Sequence, residues 1–216
     1  MRINWPSEVL FTAVTLLFAS NCETRIHATL KTIGIFGGTF DPIHNGHLIL
    51  ARDAVEQLRL DELLFIPAAI SPHKLRQQPT APEVRVEMLR AAIEGEPQFC
   101  VDTLELERPA PSYTMDTVEA LRAREPAAQL VLLVGEDNVA PLPTWQRFAE
   151  LSRMVQFAVL DRSGLNTTHP YPTVRRHVDI SGTDIRNRVA RGQSIRYLVP
   201  PAVEKIISQR QLYRES

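Results

Sequence analysis

The stretch Ile33-Gly34-Ile35-Phe36-Gly37-Gly38-Thr39-Phe40-Asp41-Pro42-Ile43-His44-Asn45-Gly46-His47 decides how the rest of the chain reads. It begins as a buried strand and ends that strand in two glycines, where backbone without side chains lets a ligand come close. The chain then enters a helix near Asn45 or Gly46, and a helix start offers free N–H groups and the positive end of a dipole to an anion. His44 and His47 stand three apart around that start, so both imidazoles point toward the same anion. Strand, glycine turn, helix start and two histidines together make a phosphate cradle that needs no lysine. The glycines at 34, 37 and 38 do not fit the dinucleotide fingerprint, and no Gly-Lys-Ser or Gly-Lys-Thr follows as in a Walker loop. The same pair of histidines also suits a plain helix cap, or two ligands of a metal site. No cysteine or third ligand lies nearby to complete such a site, so no protein-held metal is expected.

Outward from this stretch, short apolar runs alternate with helical patterns. Apolar residues at 48, 51, 55 and 58 repeat at the helical period and predict a helix over 47–58. A second strand is expected over 63–66, closed by Pro67, then a helix over 83–93 behind Pro82. Further strands are expected over 99–101, 130–134, 155–160 and 177–180, with helices over 115–124, 185–190 and 202–208. Residues 67–82 and 163–176 read as surface loops. This alternation predicts an α/β fold: a Rossmann-like, doubly wound parallel sheet in a single domain, with helices on both faces. Such sheets bind ligands at the carboxyl ends of their strands, so functional residues should follow the apolar runs.

Composition narrows the partners. The 216 residues hold 24 Lys and Arg against 25 Asp and Glu, a formal net charge of -1. That balance lacks the basic excess of a nucleic-acid binder, and no nucleic-acid partner is expected. The two cysteines, Cys22 and Cys100, match neither metal-ligand spacing nor a redox pair, which suits a reducing compartment at least as well as a disulfide. Residues 1–30 differ in character from the remainder. Their apolar run, 9–19, falls short of the roughly 20 residues needed to span a bilayer, though it has the length of a signal-peptide core. It is read as an extension outside the catalytic fold, with Leu30 as the expected start of a domain over 31–216; a secretion signal and a peripheral anchor are the competing readings. Recovery of peptides from residues 1–29 of the native protein contradicts that expectation. The protein is expected in the cytoplasm, with no membrane attachment.

The run Gly37 to His47 resembles the H-x-G-H signature of the nucleotidylyltransferase superfamily. The family's second motif, I-S-S-T-x-I-R, is matched by Ile180-Ser181-Gly182-Thr183-Asp184-Ile185-Arg186, with Gly182 in place of the usual second serine. Other stretches are similar to those of the bacterial nicotinate-mononucleotide adenylyltransferases: Ser71-Pro72-His73-Lys74, Pro111-Ser112-Tyr113-Thr114, Gly135-Glu136-Asp137-Asn138 and Leu142-Pro143-Thr144-Trp145. Gln211-Leu212-Tyr213-Arg214 resembles the family's terminus, and the resemblance runs from Lys31 to Tyr213.

The resemblance implies transfer of an adenylyl group from ATP to nicotinate mononucleotide, giving the dinucleotide precursor of NAD and pyrophosphate. It implies ATP binding by Gly37, Gly38, Thr39, Phe40, His44, His47, Ile180, Ser181, Thr183 and Arg186, with His44, His47 and Arg186 catalytic. The mononucleotide would meet Thr39, Lys74, Ser112, Tyr113, Thr114, Asp137 and Trp145. A flat ring suits the faces of Tyr113 and Trp145, and Asp137 suits ribose hydroxyls. Mg²⁺ is expected to accompany the phosphates, with few or no direct protein ligands. A sister transferase acting on phosphopantetheine, a cytidylyltransferase and a non-catalytic nucleotide sensor are the rival readings; a homo-oligomer is possible.

Overall fold

Residues that alternate along a strand point to opposite faces, so a strand apolar at every position must be covered on both sides. That condition is met here in a computed structural model that describes residues 30–69, 78–162, 164 and 168–214. Strands β1 (Thr32–Gly38), β2 (Glu62–Pro67), β3 (Phe99–Val101), β4 (Gln129–Gly135), β5 (Gln156–Asp161) and β6 (Thr173–Arg175) form one parallel sheet in the order β3-β2-β1-β4-β5-β6.

Two apolar layers flank the sheet. Phe36, Leu63, Phe65, Val131, Leu133, Ala158 and Leu160 face α1 (Asn45–Leu58), α2 (Pro82–Ala92), α5 (Gly182–Ala190) and α6 (Pro201–Gln209). Ile33, Ile35, Leu64, Ile66, Leu130, Leu132, Val134, Phe157 and Val159 face α3 (Thr114–Arg124) and α4 (Phe148–Met154). The doubly wound architecture expected from the sequence is therefore present. Among the described residues no helix is long and apolar enough to cross a membrane.

The winding direction reverses between β1 and β4, which are adjacent and start opposite chain excursions. A crevice opens at such a reversal, because the connections leaving the two strands run to opposite faces. Everything the site needs follows from β1 and β4 ending side by side.

Two expectations need correction. The sixth strand lies at Thr173–Arg175, inside the stretch read as a loop, and not over 177–180. It is a three-residue edge strand with Val174 alone buried, too short to show a period; Arg175 pairs with the buried Asp161 of β5. Residues 177–180 instead run along the sheet's carboxyl edge, where Val178 N–H donates to the Arg162 carbonyl. Helix α4 was not expected. It is seven residues long, buries Leu151 alone, and begins after Arg147 at a left-handed φ of 53°. Residues 1–29 and Lys74 lie outside the described residues.

Candidate active site

The cradle is built first by what glycine leaves out. A Cβ on Gly38 would stand 2.9 Å from the Phe40 ring, so that glycine lets the ring fold beneath the turn. A Cβ on Gly46 would stand 3.1 Å from His44 Nδ1 and 3.4 Å from Ile180 Cβ. The glycine of H-x-G-H is thus the gap through which the first imidazole and the second motif meet. Gly37 has no protein atom within 4 Å of its Cβ position and borders open cavity. Phe40 holds a left-handed φ of 49°, an uncommon backbone state for a bulky residue that persists where surrounding contacts enforce it.

His44 occupies the cap position of α1 with extended backbone, and His47 lies in the first turn. Their rings stack with centroids 3.6 Å apart and planes 23° from parallel. Phe40 meets His47 edge-on at 5.2 Å. His44 is buried, and its Nδ1 has no hydrogen-bond partner among the described residues. Burial, helped by the nearby Arg162 guanidinium, lowers the His44 pKa from 6.5 to about 4. The imidazole is therefore neutral at pH 7 and retains one N–H to offer an anion.

The second motif closes over this pair. Ser181 caps α5, its hydroxyl accepting from Asp184 N–H at 3.1 Å. Gly182, which departs from the family's serine, is not needed as a cap. Its Cβ position is 3.1 Å from the Asp41 carbonyl oxygen and 3.3 Å from Arg186 Nη1. Arg186 is held at both ends: Nη1 donates to the Asp41 carbonyl at 2.7 Å and Nη2 to Thr183 Oγ1 at 3.2 Å. A guanidinium fixed this way presents its fork without having to lose freedom on binding.

These parts line one cavity of about 820 Å³. Gly37, Gly38, Thr39, Phe40, His44, His47, Ile180, Ser181, Thr183, Arg186 and Asp137 all border it. A Cβ on Gly135 would meet Asp137 Oδ1 at 2.5 Å, so that glycine lets the carboxylate fold back over the end of β4. Ser112, Tyr113, Thr114 and Trp145 do not border the cavity. Ser112 Oγ accepts from Ala69 N–H at 3.0 Å, and Ala69 is on the cavity wall. Tyr113 precedes α3, more than a third exposed, and Trp145 is half-buried against the α3–α4 layer.

Among the charged lining residues, sequence reasoning missed Arg162 and Asp41. Arg162 follows the apolar run of β5, so the rule that located Asp137 after β4 would have located it. Asp41 carries no comparable signal, because its role depends on partners distant in sequence.

Residues 35–188 match the family model of the cytidylyltransferase-like proteins. The chain is 45% identical over 184 residues to a probable nicotinate-nucleotide adenylyltransferase of Geobacillus thermodenitrificans, covering 84% of this chain and 85% of the relative. It is 42% identical over 187 residues to the nicotinate-nucleotide adenylyltransferase of Bacillus subtilis, covering 85% of this chain and 99% of the relative. Among solved structures, a Plasmodium falciparum nicotinic acid mononucleotide adenylyltransferase complexed with NaAD superposes with a TM-score of 0.70 at 18% identity. That alignment covers 85% of this chain and 97% of that one and bears on the fold. The family model spans most of the chain, and these relatives are matched over most of their own length at well above 30% identity: the chain belongs to the nicotinate-nucleotide adenylyltransferases of the cytidylyltransferase-like family.

Proposed function

We infer that the cavity binds ATP beside nicotinate mononucleotide and joins them, releasing pyrophosphate. One observation carries this reading: α1 and α5, from opposite ends of the chain, bring His44, His47 and Arg186 to one wall at the ends of β1 and β4. In the reaction a mononucleotide phosphate oxygen attacks the α-phosphorus of ATP in line, and the bond to the bridging oxygen of the β-phosphate breaks. No protein nucleophile is required. The chain supplies placement and charge stabilisation. Arg186 faces the oxyanions with a preset fork, and the imidazoles donate N–H groups where charge builds on the leaving pyrophosphate. Asp137 suits the ribose hydroxyls.

Magnesium enters with the triphosphate in this reading. Among the described residues, no group of three or more His, Cys, Asp or Glu side chains is placed to hold a metal ion. Of the carboxylates on the cavity wall, Asp41 is already taken up by Tyr213 and Thr80, which leaves Asp137. This donor set fits an ion carried mainly by phosphate oxygens.

The test is pyrophosphate release by the full chain from ATP and Mg²⁺, with nicotinate mononucleotide, nicotinamide mononucleotide and phosphopantetheine compared as acceptors. Release with nicotinate mononucleotide above the other two is the expected result. ATP binding with no release from any acceptor contradicts catalysis and supports a nucleotide sensor.

A further inference from the structure

The stretch Gln211-Leu212-Tyr213-Arg214 does not line the cavity, yet Tyr213 reaches the turn after β1. Its hydroxyl donates to Asp41 Oδ1 at 2.6 Å. The other oxygen, Oδ2, accepts from Thr80 N–H at 3.1 Å. Beneath them lies Arg85 of α2, fully buried. Its Nε donates to the Thr80 carbonyl at 2.9 Å and its Nη1 to the Thr39 carbonyl at 2.7 Å. Three hydrogen bonds thus link Asp41 to Thr80, Thr80 to Arg85 and Arg85 to Thr39, and the backbone through Phe40 closes the ring, to which Tyr213 is joined at Asp41. The backbone carbonyl of Asp41 is the anchor of Arg186.

We propose that Tyr213 is a positioning residue for the ATP site, fixing through the Asp41 carboxylate the backbone of residues 39–41 and, through the Asp41 carbonyl, the Arg186 guanidinium. The tyrosine packs against the core layer of α1, α2 and α6 and has a left-handed φ of 62°, so the hydroxyl is delivered from a fixed stem. Burial and the bond to Asp41 both raise its pKa, which keeps the hydroxyl protonated and donating. Without that bond one carboxylate oxygen loses its partner and the turn gains freedom, a loss felt more where ATP binds, through Arg186, than where the acceptor meets Thr39.

This inference rests on the reading of the cavity as an ATP site. The experiment compares the full-length wild type with Tyr213→Phe, which keeps the ring and removes the hydroxyl. Calorimetry with Mg²⁺ and a non-hydrolysable ATP analogue is read beside KM for each substrate and the melting temperature. The expected result is a rise of about five-fold in the analogue's Kd and in KM for ATP. KM for the mononucleotide, which meets the turn only at Thr39, rises by less than about two-fold, and Tm falls by no more than the several degrees that loss of one buried hydrogen bond gives. An unchanged Kd overturns the proposal, as does a fall in Tm with both substrates weakened equally. In an Asp41→Ala background, Tyr213→Phe should cause no further loss, and an undiminished additional loss overturns the relay through Asp41. If Asp41→Ala does not fold, the single Tyr213→Phe comparison decides. A wild type that binds the analogue but releases no pyrophosphate fails the catalytic reading alone, and the Kd comparison still decides the role of Tyr213. A wild type that binds no analogue overturns both.

Discussion

His44 is an imidazole whose surroundings favour the uncharged form, and that has a measurable cost in acid. The unfolded chain takes up a proton near pH 6.5, whereas the folded protein resists until about pH 4. The stabilisation is therefore complete above pH 6.5 and is lost as pH falls toward 4, amounting to up to roughly 3 kcal/mol. His44→Gln should flatten this part of the melting-temperature profile between pH 7 and 4, and an unchanged acid slope would show that other groups govern it. A bound polyphosphate opposes the desolvation, so saturating ATP should shift the midpoint upward. In steady-state kinetics, His44→Ala or His47→Ala should lower kcat by on the order of 10²-fold, with a smaller effect on ATP affinity, if both N–H groups act on the departing charge. Equal loss of ATP affinity at constant kcat would contradict the assignment. The histidines were legible in the sequence because their spacing lies within a glycine-rich frame. Asp41 was not, because its partners Thr80, Arg186 and Tyr213 come together only in the folded chain.

At the scale of elements, two glycines separate stability from activity. Gly34 of β1 faces Leu60, whose Cδ1 would be 2.5 Å from an added Cβ, inside a closed layer. Gly34→Ala should cost about 1–3 kcal/mol of stability through overpacking, read by denaturant unfolding, with the kinetics of the folded fraction unaltered. Gly46 of α1 faces His44 and Ile180. Gly46→Ala should tilt the stacked imidazole and lower kcat by at least about ten-fold, while alanine's helix preference limits the change in Tm. If the two variants behave alike, the steric account of H-x-G-H fails. Long elements with both faces buried announced themselves as continuous apolar runs, and their ends fell within a residue or two of expectation. Of the short ones, β3 fell at its expected bounds, but β6 and α4 did not announce themselves. β6 has one buried side chain and α4 has one buried leucine, so neither carries a pattern that differs from a loop. Their existence is decided by pairing with β5 and by packing on α3, which are tertiary events.

In the whole molecule, the chain leaves the first half of the sheet, builds the second, and then returns, because α5 and α6 pack back on the layer of α1 and α2. Arg176, just past β6, ties the halves by two bonds to the buried Asp53 of α1, at 2.6 and 2.8 Å. Arg176→Ala leaves that carboxylate partly unpaired and should lower Tm, and by more than Arg176→Lys, which keeps the charge. Equal lowering by the two variants would show that the charge is not what Arg176 contributes. The general architecture was readable from alternation alone, since a parallel sheet needs covered strands and crossing helices. The crevice wall was readable only in part. Its members follow strands, as expected, but residues 178–186 reach it by running along the sheet edge rather than by ending a strand.

That return path also sets an order of events during synthesis. Asp41 leaves the ribosome early and Tyr213 late, 172 positions apart. The sixth strand of the sheet is complete at Arg175, but the turn under the ATP site is not fully braced until Tyr213 has emerged. A chain cut short of Tyr213 thus carries every strand and a looser phosphate site. Full affinity for nucleotide comes later in synthesis than the sheet itself.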